Sequence, residues 1–105
     1  MCGILGEYSP KKKLIALERF KSILDISKTR GPNDTSIKST HGEIRFGFNR
    51  LSILDLSKRA SQPIWSPSGR YLIVFNGEIY NHLELRKKLG GFGRNIKSHG
   101  DTVSL

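Results

Sequence analysis

"MCGILGEYS", residues 1–9, carries the chain's only cysteine directly behind the initiator methionine. With Met1 in place, Cys2 is a small apolar residue opening a strand, a common fate for a free cysteine. With Met1 removed, a thiol and an α-amino group share one residue. An α-amine titrates near about 7.7–8.0, so it can take a proton from a thiol close to neutral pH. Nucleophile and base then come together without a second side chain, the arrangement by which an N-terminal amine activates a hydroxyl.

Working outward, "CGILGEY" reads as a buried strand. The following "SPKKKLIALERFKSIL" predicts a helix with Ser9 as N-cap and Pro10 at its first position. Leu14, Leu17, Phe20 and Leu24 give that helix one apolar face. "TRGPNDTS" from Thr29 is loop chemistry, and short strands are expected at 36–39 and 43–48. "ASQPIWSPSG" reads as a second connection. It leads into "RYLIVFNGEIYN", where two apolar runs flank Asn76-Gly77 and predict a tight hairpin. Asn81 with Glu84 resembles a capping box, and Leu85, Leu89 and Gly90 fit a short helix with a glycine stop. "GGFGR" is loop, and Asp101 is placed to cap a further helix. The chain ends at Leu105 before such a helix is complete, which reads as a fragment.

A length of 105 residues sets a ceiling of one small domain, and a charged fraction of 26% argues against disorder. The lone cysteine cannot form an internal disulfide. No secretory signal and no run of about 20 apolar residues is present, so the reading is cytoplasmic with no membrane span. "NDT" at residues 33–35 matches a glycosylation acceptor formally, without a secretion route to use it. The net charge of +9 raises nucleic-acid binding. The charge is scattered, however, with one run at residues 11–13 and no aromatic-basic interleaving, and it reads as solvated surface or a face for an acidic partner. His41, His82 and His99 lack metal-ligand spacing.

Six short stretches in one order carry a resemblance: "CGILG" behind Met1, "RGP" at 30–32, "RLSILDLS" from Arg50, "QP" at 62–63, "NGEIYNHLELR" from Asn76 and "GDT" from Gly100. Together they resemble the glutaminase domain of glutamine-hydrolysing asparagine synthetases, a branch of the class II glutamine amidotransferases. The resemblance implies an N-terminal nucleophile hydrolase of α+β class, with antiparallel sheets in a four-layer αββα sandwich that is incomplete in this chain. It implies L-glutamine as substrate and Cys2 as nucleophile, with Asn76 and Gly77 supplying the oxyanion donors. By the same resemblance Arg50 holds the glutamine α-carboxylate, and Glu78 and Asp101 lie near its α-amino group. No cofactor or metal is expected in this segment; ATP and Mg²⁺ belong to a synthetase domain, absent here or on a partner chain.

Each position has a plainer reading as well: Asn76-Gly77 as only a turn, Arg50 as a surface arginine, Asp101 as a cap and Arg30 as a brace for its loop. Two departures stand out. Val103 follows the Asp-Thr pair where the family usually has Glu, and "GFN" at 47–49 stands where a "GH" pair is common. A sandwich lacking its later strands would expose sheet edges, so association into homo-oligomers, low stability and little activity are expected of these residues alone. The alternatives are a truncated non-catalytic or regulatory fragment, an amidotransferase for a cell-surface sugar acid and, ranked last, a basic nucleic-acid-binding protein.

Overall fold

The computed structural model describes residues 1–52 and 61–91. Their contacts separate two units, residues 1–51 with 61–76 and residue 52 with 77–91. Asp101 and most of "RLSILDLS" lie outside the described residues.

The first unit is built on a three-stranded antiparallel sheet in the order β1-β3-β2. The strands are β1 (Gly3–Tyr8), β2 (Asp34–Thr40) and β3 (Ile44–Arg50). β2 and β3 form a hairpin whose turn uses His41 (φ 51°) and Gly42 (φ 72°). Two successive left-handed residues match the right-handed twist of the flanking strands. Side chains alternate along β3, so Arg45, Gly47 and Asn49 share one face while Phe46, Phe48 and Arg50 share the other.

Helix α1 (Leu17–Asp25) covers the first of these faces. Phe20 and Leu24 are its buried residues, and Gly47 leaves room for them: a Cβ there would stand 2.7 Å from Leu24 Cδ2 and 2.9 Å from Phe20 Cε1. The Arg45 guanidinium lies 5.2 Å from the Phe20 ring centroid. Asn49 is fully buried and donates through Nδ2 to Leu24 O at 2.7 Å and to Ser27 Oγ at 3.0 Å. Its Oδ1 accepts from Thr35 Oγ1 at 2.7 Å.

The helix is shorter than its periodicity predicts. Ser9 does not cap it; Ser9, Pro10, Lys11 and Lys12 form a turn in which the Lys12 N–H donates to Ser9 O, and Lys12 has φ 56°. The next residues are held outside the helix by tertiary bonds. Ile15 N–H donates to Glu7 Oε1 at 2.5 Å, and Ile15 O accepts from Arg45 Nη1 at 2.9 Å. Arg45 also lies 3.4 Å from Glu7 Oε2, with both side chains largely buried. Local propensity favours an earlier start, and these contacts override it.

After α1 a single 3-10 turn (Lys28–Arg30) leads to Gly31, and β2 begins at Asp34, inside the segment that reads as loop. A two-stranded antiparallel sheet completes the unit, β4 (Ile64–Trp65) with β5 (Leu72–Ile73). The hairpin therefore closes within Ser66–Tyr71, where Gly69 has φ 69°, and not at Asn76-Gly77. The pairing stops before Val74, which strips the Asn-Gly pair of the strands it would need on both sides.

In the second unit, helix α2 spans His82–Gly91. Asn81 O accepts from Leu85 N at 3.1 Å, the first helical bond, as its predicted place before the helix requires. Glu84 sits in the first turn and pairs with Lys88 at 3.0 Å, the favourable order for the helix dipole. The helix continues through Gly90 to Gly91, so the glycine stop falls one residue late. Glycine permits an exit from a helix without compelling one.

Candidate active site

Cys2 precedes β1 and lies where the C-terminal end of β3 passes beside it. Gly3 pairs with Asn49, which sets Cys2 next to Arg50 and Leu51. The Leu51 N–H donates to Cys2 Sγ at 3.3 Å, and Sγ lies 3.8 Å from Leu51 O. The Cys2 N–H donates to Asn76 Oδ1 at 3.1 Å. The orientation of the Asn76 amide follows from this bond: a donor faces it, so the oxygen end points at Cys2 and the NH2 end is turned away. Arg30 reaches the same residue from the 3-10 turn, with Nε 3.4 Å from Cys2 O.

Close backbone packing holds that turn against β3. A Cβ on Gly31 would stand 2.1 Å from Asn49 O and 2.8 Å from Arg50 C. Ser27 packs over Gly3 in the same manner, where a Cβ would meet its Oγ at 2.3 Å. Both glycines are needed for approach distances that no side chain permits.

Arg50 is 7% exposed. Its Nη1 lies 3.4 Å from Ser61 Oγ, and that hydroxyl gives its one proton to Asp34 Oδ2 at 2.6 Å. The short bond to a carboxylate leaves the serine oxygen to act as acceptor toward Arg50. Asp34 is also the β2 residue opposite Arg50 in the sheet register.

The structure brings Cys2, Arg50 and Asn76 together in one unit. Gly77 and Glu78 are exposed residues of the second unit. Leu51, Asp34, Ser61 and the Asn49 network escaped the reading. A backbone N–H has no residue-type signature, and Ser61 and Asp34 are joined to Arg50 only by the fold. Arg30, read as a brace for its loop, reaches the Cys2 carbonyl. Among the described residues no three His, Cys, Asp or Glu side chains gather to hold a metal, and no helix is long and apolar enough to cross a membrane.

The glutamine amidotransferase domain family matches residues 1–105. A Mycobacterium tuberculosis protein named as a glutamine-hydrolysing asparagine synthetase is 44% identical over 103 residues, which take in 85% of this chain and 16% of that protein. Asparagine synthetase (glutamine-hydrolysing) 1 of Bacillus subtilis is 34% identical over 109 residues, covering all of this chain and 17% of its own length. The corresponding protein of Sandersonia aurantiaca is 38% identical over 96 residues, 87% of this chain and 17% of that one. The chain spans about a sixth of the length of these curated relatives. A match along the whole sequence makes this chain a member of the glutamine amidotransferase domain family.

Proposed function

We propose that these residues form the first part of a class II glutaminase domain, in the four-layer αββα arrangement of N-terminal nucleophile hydrolases, and that the domain supplies ammonia to an asparagine synthetase-type domain beyond them. The observation that carries the reading is the bond from the Cys2 nitrogen to Asn76 Oδ1. With Met1 attached that nitrogen is an amide. Once Met1 is removed it is an α-amine with two hydrogens and a lone pair. Giving one hydrogen to Asn76 orients the lone pair, and the Leu51 N–H holds the sulfur beside it.

The thiol proton passes to the α-amine, and the thiolate attacks the side-chain amide carbon of glutamine. The carbonyl π electrons move to oxygen, where the Asn76 NH2 and the Gly77 N–H are the donors. Collapse of the tetrahedral species breaks the C–N bond, and the ammonium of Cys2 returns its proton to the departing amine, releasing ammonia. Water then cleaves the thioester to glutamate and restores the thiol. Arg50 takes the α-carboxylate of glutamine, and the family resemblance assigns its α-amino group to Glu78 and Asp101. A planar guanidinium suits that carboxylate, and burial strengthens the attraction.

The relatives' names favour the aspartate β-carboxylate as ammonia acceptor, activated with ATP and Mg²⁺ in the domain beyond, over a sugar acid. The setting is the cytoplasm, in keeping with a single cysteine. Ile4 and Tyr8, on the face of β1 away from α1, are 42% and 69% exposed, as fits a face that packs against the second sheet of the proposed sandwich. The test is Cys2→Ala in the full-length protein carrying these residues. Glutamine-dependent synthesis should fall to background while ammonia-dependent synthesis persists; equal loss of both, or of neither, contradicts the reading. Arg50→Ala should raise KM for glutamine with kcat little changed where chemistry is slow.

A further inference from the structure

We propose that Gln62 is a positioning residue for Asn76, holding the oxyanion donor in place through the backbone of Phe75; this rests on the assignment of Asn76 above. Gln62 is 6% exposed. Its amide makes two bonds to one residue: Nε2 donates to Phe75 O at 3.1 Å, and Oε1 accepts from Phe75 N at 2.5 Å.

The register shows why a side chain takes this role. β4 and β5 pair Ile64 with Ile73, and extending that register by two residues sets Gln62 opposite Phe75. Pro63 stands between and has no N–H to continue the ladder. The Gln62 side chain supplies one donor and one acceptor, the pair that a strand neighbour's backbone would have offered. Its backbone is turned elsewhere, since Gln62 O accepts from Ser36 Oγ on β2. One residue therefore fastens Phe75 to the three-stranded sheet that carries Cys2 and Arg50.

Asn76 follows directly. Its side chain is exposed and meets the Cys2 nitrogen, so the precision of its placement comes through the chain at Phe75. Donors to an oxyanion act by preorganisation, and a displacement of about 1 Å is enough to lose most of their effect. Gln62 acts on the step that develops charge.

The experiment measures glutamine hydrolysis and ammonia-dependent synthesis in the full-length protein for Gln62→Leu, Asn76→Ala and the double variant. Gln62→Leu should lower kcat for glutamine by about 10–100-fold, keep KM within about twofold and spare ammonia-dependent synthesis. In the Asn76→Ala background it should add almost nothing, because the donor it positions is gone. An equal loss in both backgrounds, a rise in KM alone, or no loss overturns the proposal. If Asn76→Ala itself leaves kcat intact, the oxyanion assignment fails first and takes this inference with it. Should Gln62→Leu not fold, Gln62→Glu keeps the acceptor for Phe75 N–H and loses the donor, and the same split between kcat and KM is required of it.

Discussion

The two faces of β3 use polar side chains in opposite ways. Toward α1, Asn49 is bonded to Leu24, Ser27 and Thr35, and Arg45 to Glu7 and Ile15, so their hydrogen-bonding groups join one element to the next. Toward the other side, the strand presents Phe46 and Phe48 and ends on Arg50, whose partner Ser61 is steered by Asp34. Asn49 and Arg50 are sequence neighbours with separate tasks, because a strand sends successive residues to opposite faces. The closed face holds the sheet end in position. The other face brings Arg50 and Cys2 to the place where glutamine is proposed to bind. Damage to the first should register as lost stability, and damage to the second as lost glutamine handling.

The substitution expected to break this division most severely is Gly31→Ala. A Cβ at Gly31 would meet the backbone of both Asn49 and Arg50, and backbone cannot rotate aside as a side chain does. The cost should be about 3 kcal/mol in denaturant unfolding of the full-length protein. Glutamine turnover should fall as well, since Arg30 and Arg50 move with the segments forced apart. Wild-type stability in this variant would disprove the close approach. Next in size is Asn49→Leu, which sharpens the contrast by touching one face only. It removes a buried amide with three bonds, for about 2 kcal/mol. Among molecules still folded, KM for glutamine should stay near the wild-type value; a shift as large as that of Arg50→Ala would show that the two faces are not separable.

How much of this division could be read beforehand depends on the range of the interaction. The strands around residues 3–8, 36–39 and 43–48, the burial of Phe20 and Leu24, and the start of α2 after Asn81 rest on local pattern, and they were legible. The start of α1 was not, because Glu7 and Arg45 reach it from other strands. Nor was the true hairpin: Asn-Gly is the stronger turn signal, yet His41-Gly42 and the Ser66–Tyr71 loop lie between runs that pair, and Asn76-Gly77 does not. For the proposed site, Cys2, Arg50 and Asn76 are assigned through motif resemblance. Their supports at Asp34, Ser61 and Leu51 depend on register and backbone, which motifs do not record. Gln62 was quoted as part of such a motif, but its use as a surrogate strand partner required the coordinates.

Gly47→Ala is the mildest change on the closed face, and it tests whether that face is tight in the same sense throughout. The added Cβ meets Leu24 Cδ2 and Phe20 Cε1, which are the ends of side chains, whereas at Gly31 it meets backbone. Leu24 and Phe20 can shift by rotation, and replacing glycine within a strand recovers part of the loss by restricting the unfolded chain. The net destabilisation should be about 1 kcal/mol, well below that of Gly31→Ala. Pairing it with Leu24→Val should cost less than the sum of the two single changes, because the methyl group removed is one the new Cβ displaces. Simple additivity would mean that the space at Gly47 is set by the strand backbone instead of by α1, and the closed face would then owe its rigidity to the sheet alone.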